Sequence, residues 1–110
     1  MTVHADHYTY RVRWSVEDQS YIGTVAEFPS LSWIADEQSD AFNGIRRLVA
    51  DVLEDMAENG EDPPKALADK DYSGKFMVRI PPELHRRLAL DAAEQNVSLN
   101  RLIGSRLVGD

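Results

Sequence analysis

Six residues, Lys75-Phe76-Met77-Val78-Arg79-Ile80, stand between Gly74 and Pro81-Pro82 and read as one short strand. Everything after them has helical spacing. A lone strand cannot make a sheet, because its backbone groups need a partner and its apolar side needs cover. A segment of about 40 residues also buries too little surface to hold a core by itself. The simplest partner is the same strand from a second copy, paired antiparallel about a two-fold axis. Phe76, Val78 and Ile80 then face the helices as the dimerisation surface. Lys75, Met77 and Arg79 face outward from a two-stranded ribbon.

The helices that follow are well marked. Leu84, Leu88 and Ala92 recur every fourth residue after Pro81-Pro82, so a helix is expected from about Glu83. Asn96 suits a left-handed helix end. Ser98 caps a second helix with apolar positions Leu99, Leu102, Ile103 and Leu107, and Gly109 lies beyond its end. A two-stranded ribbon fits the DNA major groove. Arg79 has the donors for a guanine edge, Lys75 for a base or phosphate, and Met77 offers apolar contact to a thymine methyl. The free N–H groups of Ser98, Leu99 and Asn100 are placed to hold a phosphate. These six residues form the expected DNA-binding set.

The first half follows a different pattern. From Tyr8 to Val16 every even position is apolar, the period of a half-buried strand. Glu17-Asp18-Gln19-Ser20 is a polar turn. Tyr21 to Phe28 reads as an antiparallel second strand ended by Pro29, and Leu31 to Ala35 as a short third. Ser39 is the expected N-cap of a helix whose stripe is Ile45, Leu48, Val49, Val52, Leu53 and Met56, stopped at Gly60. The expected fold class is α/β (α+β): a three-stranded antiparallel sheet with one covering helix over residues 1–64, a linker over 65–73 and the ribbon-and-helices module over 74–110.

Charge divides the same way. The net charge of −7 argues against a chain that binds nucleic acid over its whole surface. Residues 1–72 hold 15 acids and 6 bases, and residues 73–110 hold 4 acids and 6 bases. An acidic part for a basic partner and a mildly basic end for a polyanion are the corresponding expectations. There is no cysteine, which excludes disulfides and thiolate chemistry. Met1-Thr2-Val3-His4-Ala5-Asp6 has no basic region followed by an apolar run, and no stretch is apolar enough to span a bilayer. A cytoplasmic protein without a membrane partner is expected.

No catalytic, metal or cofactor site is expected. A metal-dependent nuclease needs several acids on one or two ions. Glu27, Asp51, Asp55 and Glu58 are the candidates, but Asp51 and Asp55 share a face turned away from the Ile45–Met56 stripe. His4, His7 and His85 have no acid or nucleophile placed beside them by sequence. Trp14 and Trp33 fit the strand pattern as packing residues, and Arg46-Arg47 as surface.

Phe76-Met77-Val78-Arg79-Ile80-Pro81 and Val97-Ser98-Leu99-Asn100 before Leu102-Ile103 resemble the ribbon-helix-helix family of the Arc and MetJ repressors. The alternating first strand, Val25-Ala26-Glu27-Phe28-Pro29-Ser30-Leu31, Ser39 and Asn59-Gly60-Glu61 before Pro63-Pro64 resemble the HicB antitoxin domain, a shortened relative of the RNase H fold. The combination implies a type II antitoxin. Its partners would be a HicA-like toxin that cleaves mRNA and the operator DNA of its own operon, bound as a homodimer or higher even-numbered oligomer. HicB-like domains often have a further strand after the helix, and Lys65-Ala66-Leu67-Ala68 is too polar and helix-prone for one. An orphan ribbon-helix-helix regulator, whose first domain senses a ligand or another protein, is the alternative.

Overall fold

The computed structural model describes residues His4–Gly109. They form two compact units that divide between Tyr72 and Ser73. The first is a three-stranded antiparallel sheet with a helix on it; the second holds two helices.

Strands β1 (Tyr10–Ser15), β2 (Ser20–Val25) and β3 (Ser32–Ala35) lie in the order β1-β2-β3. Tyr10 pairs with Val25 and Ser15 with Ser20, so the turn falls on residues 16–19. Gln19 takes a left-handed φ of 49° there. β2 ends earlier than the expected Phe28, because the chain turns after Val25, with the Phe28 N–H on the Val25 carbonyl at 3.2 Å.

Helix α1 (Gln38–Glu58) packs on the face that Val25 and Gly23 share. Ile45 and Val49 are fully buried with Val25, Tyr8 and Ala66 as the core of this unit. Burying each of the three largest aliphatic side chains stabilises the fold by roughly 1.5–3 kcal/mol. Gly23 permits this approach: a Cβ there would meet the Ala41 carbonyl oxygen at 2.5 Å. The helix starts two residues earlier than the sequence indicates. Glu37 is the N-cap, its carbonyl accepting the Ala41 N–H at 3.0 Å, and no side chain caps it. Ser39 therefore lies inside the first turn. At the other end Gly60 has φ +70°, Gly60 N–H donates to the Ala57 carbonyl and Glu61 N–H to the Met56 carbonyl. This is the two-bond left-handed termination that glycine favours.

The even-position face of β1 is not uniformly covered. Tyr8 is buried, whereas Trp14 and Val16 are exposed near the turn. Trp14 packs edge-on against its cross-strand partner Tyr21, with centroids 5.0 Å apart.

The stretch expected to be a linker starts inside the first unit. Ala66 is only 3% exposed and belongs to the core. Leu67–Asp69 forms a 3-10 turn, the Tyr8 hydroxyl donates to the Pro64 carbonyl at 2.7 Å, and His7 Nδ1 lies 2.7 Å from Asp69. A small alanine that fits the gap beside Tyr8 gives no periodic signal, which is why the sequence reads as linker there.

In the second unit α2 (Pro82–Glu94) and α3 (Leu99–Val108) pack through Leu88, Ala92 and Leu102. Asn96 has φ 57°, with Val97 N–H on the Ala92 carbonyl at 3.0 Å. Arg106 pairs with Asp91 at 3.1 Å across the two helices. Residues 75–80 are not a strand within the chain, since none of Phe76 to Ile80 forms a backbone hydrogen bond among the described residues.

Candidate functional site

A run of three strongly exposed apolar side chains lies in that unpaired segment. Phe76 is 76% exposed, Met77 84% and Val78 61%. Gly74 enters with φ +83°, and the Ser73 hydroxyl accepts the Lys75 N–H at 3.0 Å. Pro81 and Pro82 close the segment, and Pro82 opens α2, where a missing N–H has no intrahelical partner to lose.

Beside the segment runs a groove of about 840 Å3. Its floor is Leu84, Leu88, Leu99, Ile103 and Leu107, which present one apolar side of both helices. Phe76, Val78 and Ile80 line it, and Ile80 also packs on the Leu88–Ala92–Leu102 cluster. Met77 and Arg79 do not line it. The alternation along the segment therefore separates the expected dimerisation residues from two of the three expected base-reading residues. Lys75, the third, lines the groove together with Gly74.

Ser98 accepts the Arg101 N–H through its hydroxyl at 3.0 Å and caps α3 as its sequence position indicates. The cap places the N–H groups of Leu99 and Asn100 in the first turn, where helices leave donors without intrahelical acceptors. Leu99 is half-buried against the apolar cluster, and Asn100 lines the groove. Among the described residues Lys75, Arg79, Arg86, Arg87 and Arg101 form no ion pair, so this unit carries cations that are not internally neutralised.

The carboxylates considered for metal binding do not converge. Among the described residues no three His, Asp or Glu side chains come together. Glu27 instead ties the first unit shut. It accepts the Thr9 N–H and the Leu67 N–H, each at 2.9 Å, and the Thr9 hydroxyl at 3.2 Å. Burial pushes its carboxyl pKa up, but the N–H donors of Thr9, Leu67 and Glu27 itself, with the Thr9 hydroxyl, hold it below its ordinary value on balance. This clamp had no signal in the sequence, because its three parts are far apart along the chain. His4 stacks on His7 with centroids 4.8 Å apart. Arg46 lies over the rings of Tyr10 and Phe42, at 5.6 and 5.7 Å, and pairs with Asp6.

An α+β chain of this kind has a closed first unit and a second unit whose apolar groove lies open beside an unpaired, extended segment. The HicB family, an antitoxin family, matches residues 53–107, half of the chain, and the chain belongs to that family. The match runs from the second half of α1 to α3. No curated protein and no solved structure matches the chain.

Proposed function

We propose that the chain is the antitoxin of a type II HicAB-like pair. In this reading the first unit, a shortened RNase H-like fold, masks a small basic HicA-like toxin and blocks its cleavage of mRNA. The second unit is a ribbon-helix-helix module that pairs with a second copy and represses the operon by binding its operator. The observation that carries the reading is the unpaired Phe76–Ile80 backbone beside an open apolar groove. Pairing that segment with its counterpart satisfies both backbones and brings Phe76 and Val78 under cover. It leaves Met77 and Arg79 for the major groove, with Lys75 beside them at the start of the ribbon. Operator phosphates would meet the first turn of α3 at Ser98, Leu99 and Asn100.

The test combines an operator shift assay with toxin-dependent RNA cleavage. The full chain should shift its own operator and suppress cleavage by the toxin. Arg79→Ala should weaken operator binding by about 1–3 kcal/mol for each lost guanine contact and weaken random-sequence binding far less. A folded chain that neither shifts the operator nor slows cleavage contradicts the proposal.

A further inference from the structure

The stretch from Trp14 to Ile45 contains six acids and no Lys, Arg or His. Five of the six are at one end of the sheet or enter α1 from it. The register sets Ser15 against Ser20 and Tyr21 against Ala35. The β1–β2 turn, with Glu17 and Asp18, therefore lies at the same end as the β3–α1 junction, with Asp36 and Glu37. Asp40 is in the first turn of α1.

That acidic end adjoins a bare sheet edge. β3 is hydrogen-bonded to β2 on one side, and its other side is the flank of the sheet. Edge strands are usually protected by a charge, a proline or a covering element. Ser32-Trp33-Ile34-Ala35 has no charge and no proline, and Ile34 is 54% exposed. An apolar centre with a charged rim is the anatomy of a protein interface.

We propose that the β3 flank is the docking edge for the basic toxin, which adds an extended segment along Ser32–Ala35. Ile34 sits at the centre, and Asp36, Glu37, Glu17 and Asp18 meet basic side chains of the partner. The inference rests on the antitoxin reading and adds the surface to it. Charge decides the occupant: a second copy would bring the same acids against this end and be repelled, whereas a basic chain is attracted and steered. Backbone pairing along an exposed edge supplies affinity, and the side chains beside it supply selection.

The probe is the HicA-type toxin of the same operon, purified separately and added to the full chain. Adding toxin should slow amide exchange across residues 32–37. Ile34→Lys and the pair Asp36→Lys with Glu37→Lys should each weaken toxin binding about tenfold or more. Operator binding by these variants should be unchanged, which also reports that they remain folded. Arg11→Ala on β1, at the opposite flank, should bind toxin as the wild type does. If wild-type chain binds toxin but neither exchange at 32–37 nor affinity of the variants changes, the edge assignment is wrong and the antitoxin reading stands. If Ile34→Lys lowers the mass of the free chain in solution, the edge joins copies of this chain and the inference fails. If the wild type does not bind toxin at all, both readings fall.

Discussion

The Trp33 indole occupies the space that a side chain at Gly44 would need. A Cβ on Gly44 would come within 2.1 Å of the indole's Cδ1 and Nε1, so the bare backbone of α1 is what lets β3 lie against it. Gly44→Ala should destabilise the first unit by about 1–3 kcal/mol, the range for overpacking a close contact. Gly104, on α3, has nothing within 4 Å of the same ideal Cβ. Gly104→Ala should instead leave stability equal or raise it by about 0.5–1 kcal/mol. Urea unfolding of the two variants measures the contrast, and equal effects would contradict it.

Glu27 gives the first unit a pH dependence with a definite sign. Its folded-state pKa is depressed, so its contribution is present above the ordinary value of 4.5 and is lost as pH falls through the lowered value. Glu27→Gln removes that contribution. The stability gap between wild type and Glu27→Gln should be constant near neutrality and shrink steadily once pH drops below the ordinary carboxyl range. A gap that does not change on acidification would show that the three donors do not favour the charged form.

Ser98 is the only side chain found capping a helix among the described residues. Replacing it by Ala removes the acceptor for the Arg101 N–H and should cost about 1 kcal/mol. Ser98→Asp should retain most of the stability, because a carboxylate accepts the same N–H and favours the positive end of the helix dipole. Thermal unfolding followed by circular dichroism distinguishes the two. The same Asp variant should bind operator less well, since it puts a negative charge where the proposal puts a phosphate.

Val78 lines the groove yet is 61% exposed within the chain. Val78→Asp should therefore perturb a single copy little and a paired ribbon severely, since pairing would bury two unpaired carboxylates. Light scattering should show the variant as a monomer at concentrations where the wild type is a dimer. An unchanged dimer would remove the ribbon from the proposal.

Local physics was legible in the sequence and long-range contact was not. The alternation from Tyr8, the helical stripe from Ile45, the glycine stop at 60, the left-handed Asn96 and the Ser98 cap all depend on neighbours within a few residues. Each occurs at or close to the place its neighbours indicate. Ser39 misled because a serine before a helical pattern outranks Glu37 on propensity, although the backbone begins the helix at Glu37 without a side-chain cap. Ala66 and Leu67 carry no local signal and resemble linker, because their partners, Tyr8 and Glu27, flank the opening hairpin far away in sequence. Residues 75–80 have the composition of a strand, but a strand exists only when paired, and among the described residues no backbone pairs with Phe76 to Ile80. The alternation still separates Phe76, Val78 and Ile80, which line the groove, from Met77 and Arg79, which do not.

The Glu27 clamp also sets an order of events in time. Its bond to Thr9 closes 18 residues of chain, largely the β1–β2 hairpin, whereas its bond to Leu67 closes 40. Closing the longer loop takes more chain entropy, and it also waits for α1 to be laid down. Folding should therefore fasten Glu27 to Thr9 first and to Leu67 last, with the seam at Pro64–Asp69 the last piece to settle. The same seam should be the first to part when the native unit breathes, so the Leu67 amide should exchange with solvent faster than the amides inside the β1–β2 ladder. A slower Leu67 amide would mean that the seam opens only with the whole unit.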